Sequence, residues 1–162
     1  MIETNAQKIA HRSGLPTQYW SAGVIIPNQQ GKFLFVKDVR NKWNTPGGIG
    51  EEGETMIQTA LREVKEEVGL DITIVKPLII DDKIQMIDDF TDKSLQTIWL
   101  AEAITKQQEA QIVMQAGEIE DYGFFEWEEG LAKFEERTRK RLQNLDLNNW
   151  EFIYLVNEEK LT

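Results

Sequence analysis

Apolar and polar residues recur along the chain in patterns that predict its elements. "SAGVIIP" (residues 21–27) and "GKFLFVK" (residues 31–37) are β-branched or aromatic runs separated by Asn28, Gln29, Gln30 and Gly31. This pattern predicts two strands joined as an antiparallel hairpin. "NKWNTPGGIGEEGE" reads as a loop from its Pro and Gly content. A helix is predicted to begin near Thr55, which forms a capping-box pattern with Gln58. Ile57, Ala60, Leu61, Val64 and Val68 recur at helical spacing, and Gly69 supplies a terminator. "DITIVKPLII" and "SLQTIWLAEAI" read as strands with acidic turn material around residues 88–92 between them, and "YGFFEW" reads as extended. Residues 128–145 are predicted helical, with Leu131, Phe134 and Leu142 inward. "WEFIYLV" (residues 150–156) fits either a strand or a helix end. Together these elements predict a mixed sheet with helices packed on it.

Composition narrows the class. The chain has 162 residues, 41% hydrophobic and 28% charged, and no linker or repeat, so residues 1–162 are expected to form a single domain. No run of about eighteen apolar residues occurs, so no membrane partner is expected. The first residues lack a basic region followed by an apolar one, so no secretory signal is expected. The absence of cysteine excludes disulfides and thiolate metal sites and is compatible with a cytoplasmic location. A formal charge of −10 opposes binding of long nucleic acid, whose affinity comes from Lys and Arg on phosphates. Small phosphorylated ligands remain open if a divalent cation stands between the two negative partners.

The predicted helix carries an unusual charge distribution. At about 100° per residue, the apolar stripe centres on Ile57 and Leu61, and Glu63, Glu66 and Glu67 fan out along one flank. Lys65 and Gln58 fall on the other. Arg62 reaches Glu66 at i,i+4, in the less favourable order, and one Arg does not neutralise three carboxylates. Either this face is solvated, as charged helix faces usually are, or its oxygens serve a hard cation such as Mg²⁺. The preceding loop, with Gly47, Gly48, Gly50 and Gly53, lets backbone groups approach a ligand closely, and Glu54 ends it at the entrance to the acidic flank.

Gly48, Glu54, Arg62, Glu63, Val64, Glu66, Glu67, Gly69 and Leu70 fill every fixed position of a pattern that resembles the Nudix box. In that box a Gly is followed by Glu and then by Arg-Glu-aliphatic-x-Glu-Glu-x-Gly-aliphatic. The order of strands, loop and helices resembles the Nudix (MutT-like) hydrolases over most of the chain. The resemblance implies an α+β Nudix fold, an α/β/α sandwich with a mixed β-sheet. It implies a hydrolase that uses Mg²⁺ or Mn²⁺ to cleave the pyrophosphate linkage of a nucleoside diphosphate joined to another group. Glu63, Glu66 and Glu67 would be metal ligands, with the carbonyl of Gly47 as a further one, and Arg62 would orient the carboxylates. A later acid contributes in many members. Here Glu118 matches best, as a further metal ligand and as a catalytic acid, with Glu120 and Asp121 as neighbours able to serve. Glu63, Glu67 and the later acid compete for the role of base. Thr45 departs from the Leu many members carry before Pro-Gly-Gly, which should affect local packing only. The alternative is a catalytically silent Nudix-fold module that binds a nucleotide or regulates.

Around the box, Trp43 is the best candidate of Trp20, Trp43 and Trp99 to stack on a base. Lys37, Arg40 and Lys42 are candidates for terminal phosphates. "RTRKR" (residues 137–141) reads as structural, placing cations near a helix C-terminus, and His11 reads as an exposed lone histidine. The partner is thus a small nucleotide-type substrate, and homodimers are common in the family. The single Pro beyond the box, Pro77, lies too near it for the family's ADP-ribose pattern, and no Tyr lies between the box and Tyr122, where dinucleoside polyphosphate enzymes often carry one. On the resemblance, a nucleoside triphosphate is the leading expected substrate, with another nucleotide derivative as the alternative.

Overall fold

In the strand β1 (Tyr19–Ile25) apolar residues face both ways: Ala22 and Val24 enter one core cluster and Ile25 another. A strand buried on both faces belongs inside a sheet, and the computed structural model, which describes residues 17–160, places it there. His11 and the rest of the segment before residue 17 lie outside the described residues. The other elements, in chain order, are β2 (Phe33–Asp38), β3 (Trp43–Asn44), β4 (Gly47–Ile49), α1 (Met56–Val68), β5 (Ile74–Ile87) and β6 (Phe90–Ala101). They continue with α2 (Lys106–Glu109), β7 (Ile119–Phe125), α3 (Trp127–Leu131), α4 (Glu136–Leu142), β8 (Ile153–Val156) and β9 (Glu159–Lys160).

A mixed six-stranded sheet runs β4-β1-β6-β5-β8-β9, and a three-stranded antiparallel sheet runs β3-β2-β7. In the larger sheet β1 is parallel to β6 and β5 is parallel to β8, while the other pairs are antiparallel. Ala60, Val64 and Val68 of α1 pack with Ala22, Val24, Leu34 and Val36 in one cluster. Leu131 and Leu142, from α3 and α4, pack with Ile25, Phe35, Ile79 and Ile98 in the other. The fold is therefore α+β, with α1 on one side of the strands and α3 and α4 on the other. Among the described residues no helix is long and apolar enough to cross a membrane.

Helix α1 shows how local signals and packing combine. Thr55 Oγ1 accepts from the Gln58 amide at 3.3 Å, Gln58 Oε1 accepts from the Thr55 amide at 2.8 Å, and Gly69 ends the helix at φ 73°. A 13-residue helix is marginal alone. Full burial of Val64 and Val68 supplies roughly 1.5–3 kcal/mol each.

Four expectations need correction. β1 and β2 do not form a hairpin beyond their turn. Leu34 N still donates to Ile26 O at 2.9 Å, but Val24 N donates to Pro46 O, so the glycine-rich segment takes the edge of β1 that β2 would need. That segment is accordingly not all loop and contains β3 and β4. The helix expected over residues 128–145 is broken between α3 and α4. Phe134 turns into the core there, edge-on to Phe35 at 4.8 Å, and its backbone bridges to Trp43. Finally, Ile57 and Leu61 stand exposed, and the buried face of α1 is Thr59, Ala60, Glu63, Val64, Glu67 and Val68. The ambiguous run near the C-terminal end is a strand, β8.

Candidate active site

Edge strand β4 brings the glycine-rich backbone against the acidic side of α1. The Gly47 amide donates to Glu67 Oε2 at 2.9 Å. A side chain on Gly47 would place Cβ 2.2 Å from the Ala22 carbonyl oxygen, and one on Gly48 would place Cβ 2.4 Å from Glu63 Oε1. Glycine at 47 lets β4 lie against the β1 backbone, and glycine at 48 leaves room for the Glu63 carboxylate where it stands. Glu63 and Glu67 are consequently buried, at 9% and 6% exposure.

Arg62 fastens this arrangement. Its Nε and Nη2 donate to the two oxygens of Glu54 at 2.7 and 3.0 Å, a bidentate pair of the stronger kind. Nη1 donates to Glu63 Oε1 at 2.8 Å and to Glu66 Oε2 at 3.0 Å, and Nη2 also donates to the Ile49 carbonyl at 3.0 Å. Glu54 accepts further bonds from the Glu51 amide and from Thr59 Oγ1, both at 2.9 Å. Trp20 Nε1 donates to the same Thr59 hydroxyl at 3.1 Å, which ties β1 into the network. The sequence placed Glu54 in the box and at the entrance to the acidic flank; its pairing with Arg62 emerges only from the structure.

The electrostatics follow from this geometry. The hydrogen bonds from Arg62, reinforced by the Glu51 amide, hold the Glu54 carboxyl down at about 2. The Arg62 guanidinium is pushed up from its ordinary value, chiefly by its bonds to Glu54. Burial pushes Glu67 up to about 8. The Gly47 amide opposes this, while the negative charges of Glu63, Glu118 and Asp38 add to it. Burial also raises Glu63, against the pull of Arg62. Glu63 has Arg62 beside it and Glu67 only a backbone amide, and in both burial outweighs that compensation, so the two are costly as anions.

That donor set suits a hard divalent cation, which takes carboxylate and carbonyl oxygens. Among the described residues no three acidic side chains converge as a ready-made ion cage, and Glu63 Oε1 is bonded to Arg62 instead. The fit therefore rests on the two buried carboxylates, whose burial outweighs their compensation, and on the glycine backbone that approaches them.

A cleft of about 770 Å³ opens at this point. Of the expected site residues it is lined by Gly47, Arg62, Glu63, Glu67, Glu118 and Arg40. Glu66 does not line it; its side chain is about half exposed on the flank of α1 and is tied to Arg62. Among the three later acids the structure brings only Glu118 to the cleft. Glu120 pairs with Lys37 at 3.2 Å, and Asp121 accepts from the Tyr122 amide at 2.8 Å. Three of the four expected substrate-binding residues lie elsewhere. Trp43 packs edge-on against Phe125 at 5.2 Å, Lys37 is held by Glu120, and Lys42 pairs with Glu135 at 2.9 Å. The fourth, Arg40, borders the cleft but is bonded to Asp38. Arg141, expected to be only structural, also lines the cleft and is 8% exposed. Its place in a run of cations on a short helix gave no signal of this.

A family model described as "NUDIX domain" matches residues 17–145. A Xenopus laevis protein named nucleoside diphosphate-linked moiety X motif 6 is 45% identical over 53 residues, covering 30% of this chain and 24% of that one. An RNA pyrophosphohydrolase of Hydrogenovibrio crunogenus is 41% identical over 59 residues, covering 36% of each chain. The chain thus spans about a quarter to a third of the length of these curated relatives. Among solved structures, the E. coli dihydroneopterin triphosphate pyrophosphohydrolase superposes with a TM-score of 0.63 at 22% identity. That match covers 82% of this chain and 99% of the other, a likeness of fold.

Proposed function

Because the chain belongs to the Nudix family, we propose that it hydrolyses the pyrophosphate linkage of a nucleoside diphosphate joined to another group, with a nucleoside triphosphate as the leading substrate. One observation carries this reading: Glu63 and Glu67, one helix turn apart, are buried in the lining of a cleft, against a glycine strand that approaches them closely. A solvated helix face would leave them in water. The relative named above as an RNA pyrophosphohydrolase supports the reaction class. The formal charge of −10 weighs against long RNA as substrate.

Glu63 and Glu67, with the Gly47 carbonyl and with Glu66 at the flank, would hold Mg²⁺ or Mn²⁺. When bound, such a cation screens the phosphates, polarises their oxygens and acidifies water. Arg62 touches no substrate in this scheme. Anchored on Glu54 and Ile49, it fixes the direction of the Glu63 and Glu66 carboxylates. Glu118, an exposed residue of the cleft lining, would take the proton of the attacking water, with Glu63 and Glu67 as its competitors. Catalysis of this kind is chiefly positioning and electrostatics.

The test is a panel of nucleotides and nucleotide conjugates incubated with Mg²⁺ or with EDTA, the products being identified by mass. Cleavage at a diphosphate bridge that vanishes in EDTA is expected. Cleavage at equal rates in EDTA, or of nothing in the panel, overturns the reading.

A further inference from the structure

Three arginines line the cleft, and two are already committed. Arg62 is bonded to Glu54, Glu63, Glu66 and the Ile49 carbonyl. Arg40 is bonded to Asp38 and its side chain is largely exposed. Arg141 differs from both. Its Nε donates to Asp81 Oδ2 at 3.0 Å, and Asp81 is fully buried, its other oxygen accepting from the Glu158 amide at 3.0 Å. Among the described residues the two terminal nitrogens of Arg141 make no hydrogen bond. A buried guanidinium aimed by a buried carboxylate, with its remaining donors directed to a cleft, is built to grip something.

Its position is fixed by strand register. Ile49, Ser21, Gln96 and Asp81 stand in one row across β4, β1, β6 and β5. Three steps of about 4.8 Å put the Arg141 anchor about 14 Å across the sheet from the strand against which Glu63 and Glu67 pack. Ser21 and Gln96 between them are bonded to each other at 2.7 Å. The cleft therefore has an acidic end and, at the far side, a buried fork of donors that makes no hydrogen bond among the described residues. Asp81 cancels the charge of Arg141, and the carboxylates of Asp38, Glu51, Glu63, Glu67 and Glu118 dominate the rest of the lining. A second phosphate or a carboxylate would meet a net negative field there. A neutral ring edge with two adjacent acceptors would not.

The geometry points to Arg141 as the residue that reads the base: it binds the O6/N7 edge of a 6-oxopurine, while the phosphates lie towards Glu63 and Glu67. This rests on the proposal that the cleft takes a nucleotide. Adenine presents a donor beside N7 and mismatches the fork, and a bidentate pair of this kind discriminates by roughly ten- to a hundred-fold.

The test combines ring analogues with a conservative variant. Binding of the α,β-methylene diphosphates of guanosine, inosine, 7-deazaguanosine and adenosine is measured by calorimetry with Mg²⁺. The kcat/KM values of the corresponding triphosphates are measured in parallel. Guanosine and inosine compounds should bind equally, with 7-deazaguanosine and adenosine compounds about ten-fold or more weaker. Arg141→Lys keeps a cation beside Asp81 and loses the fork. It should bring all four within a few-fold of one another by raising KM for the 6-oxopurines with kcat little changed. The wild-type series decides the matter even if that variant folds poorly. Equal binding of all four rings by the wild type overturns the inference. So does a ring preference unchanged by Arg141→Lys, or a substrate with a distal phosphate or carboxylate being the one that Arg141→Lys weakens. Mg²⁺-dependent turnover indifferent to the ring overturns this inference alone. Ring-selective binding with no turnover overturns the hydrolase reading alone, and no binding at all overturns both.

Discussion

The Gly47 amide and the Glu67 carboxylate, twenty residues apart, meet in a 2.9 Å hydrogen bond that joins strand β4 to helix α1. It is the principal compensation Glu67 receives, and it does not offset burial, which pushes that carboxyl up to about 8. Glu67→Gln keeps an acceptor for Gly47 and removes a carboxyl whose ionised form is disfavoured by burial and by Glu63, Glu118 and Asp38. The variant should match or exceed the wild type in melting temperature in EDTA, and it should lose about 10²–10⁴-fold in kcat. Mg²⁺ should raise the melting temperature of the wild type, as any ligand of the native state does, and raise that of the variant less. Thermal melts with and without Mg²⁺, together with a turnover assay, check this. Near wild-type kcat would mean that Glu67 is not part of the machinery.

Gly48→Ala probes the close approach of strand to helix. The new Cβ would fall 2.4 Å from Glu63 Oε1, so the carboxylate must swing away from its place beside Arg62. The cost in stability should be about 1–3 kcal/mol, with kcat reduced ten-fold or more because a carboxylate has been misplaced. Denaturant melts and kinetics measure both. Full activity at normal stability would show that Glu63 does not need this position.

Glu118 and Glu120 are a built-in comparison. Glu118 lines the cleft and its charge is felt by Glu63 and Glu67, whereas Glu120 pairs with Lys37 outside it. Glu118→Gln should lower kcat by about 10²-fold and leave the melting temperature unchanged. Glu120→Gln should alter neither. Equal effects of the two substitutions on kcat would remove Glu118 from the proposed mechanism.

Acid should release Arg62. The folded pKa of Glu54, about 2, lies below its ordinary value of 4.5. Its stabilising contribution is therefore complete above about pH 4.5 and is lost as pH falls towards about 2. Wild type and Glu54→Gln should differ in melting temperature at pH 6, and the difference should shrink steadily on acidification through that window. A difference independent of pH between 6 and 2.5 would show that the carboxylate charge is not what matters.

Much of this was legible because it is local. Thr55 and Gln58 cap a helix that Gly69 ends, and those three residues do so through bonds among near neighbours. Glu63, Glu66 and Glu67 fall on one side of that helix for the same reason, and the box residues mark the family without reference to anything distant. The depth of the acids was not legible. The helix period alone centred the apolar stripe on Ile57 and Leu61, which stand exposed, because it carries no record of what packs against the helix. β4 and its glycines lie on the acidic side and draw Glu63 and Glu67 inward.

Lys37, Lys42 and Trp43 illustrate the same boundary from the other direction. Nearness to the box in sequence suggested substrate contact, yet Glu120, Glu135 and Phe125, all from distant segments, take them up. Arg141 lies far from the box in sequence and arrives in the cleft only because β5 and β6 pair beside β1 and place Asp81 beneath it. The chain by itself determined the helix, its caps and the chemical character of its acidic side, since hydrogen bonds over three or four residues suffice for those. Which carboxylates are stripped of water, and which cation faces the cleft, was decided by strand pairing and packing between residues tens of positions apart, where a one-dimensional pattern holds no distance information.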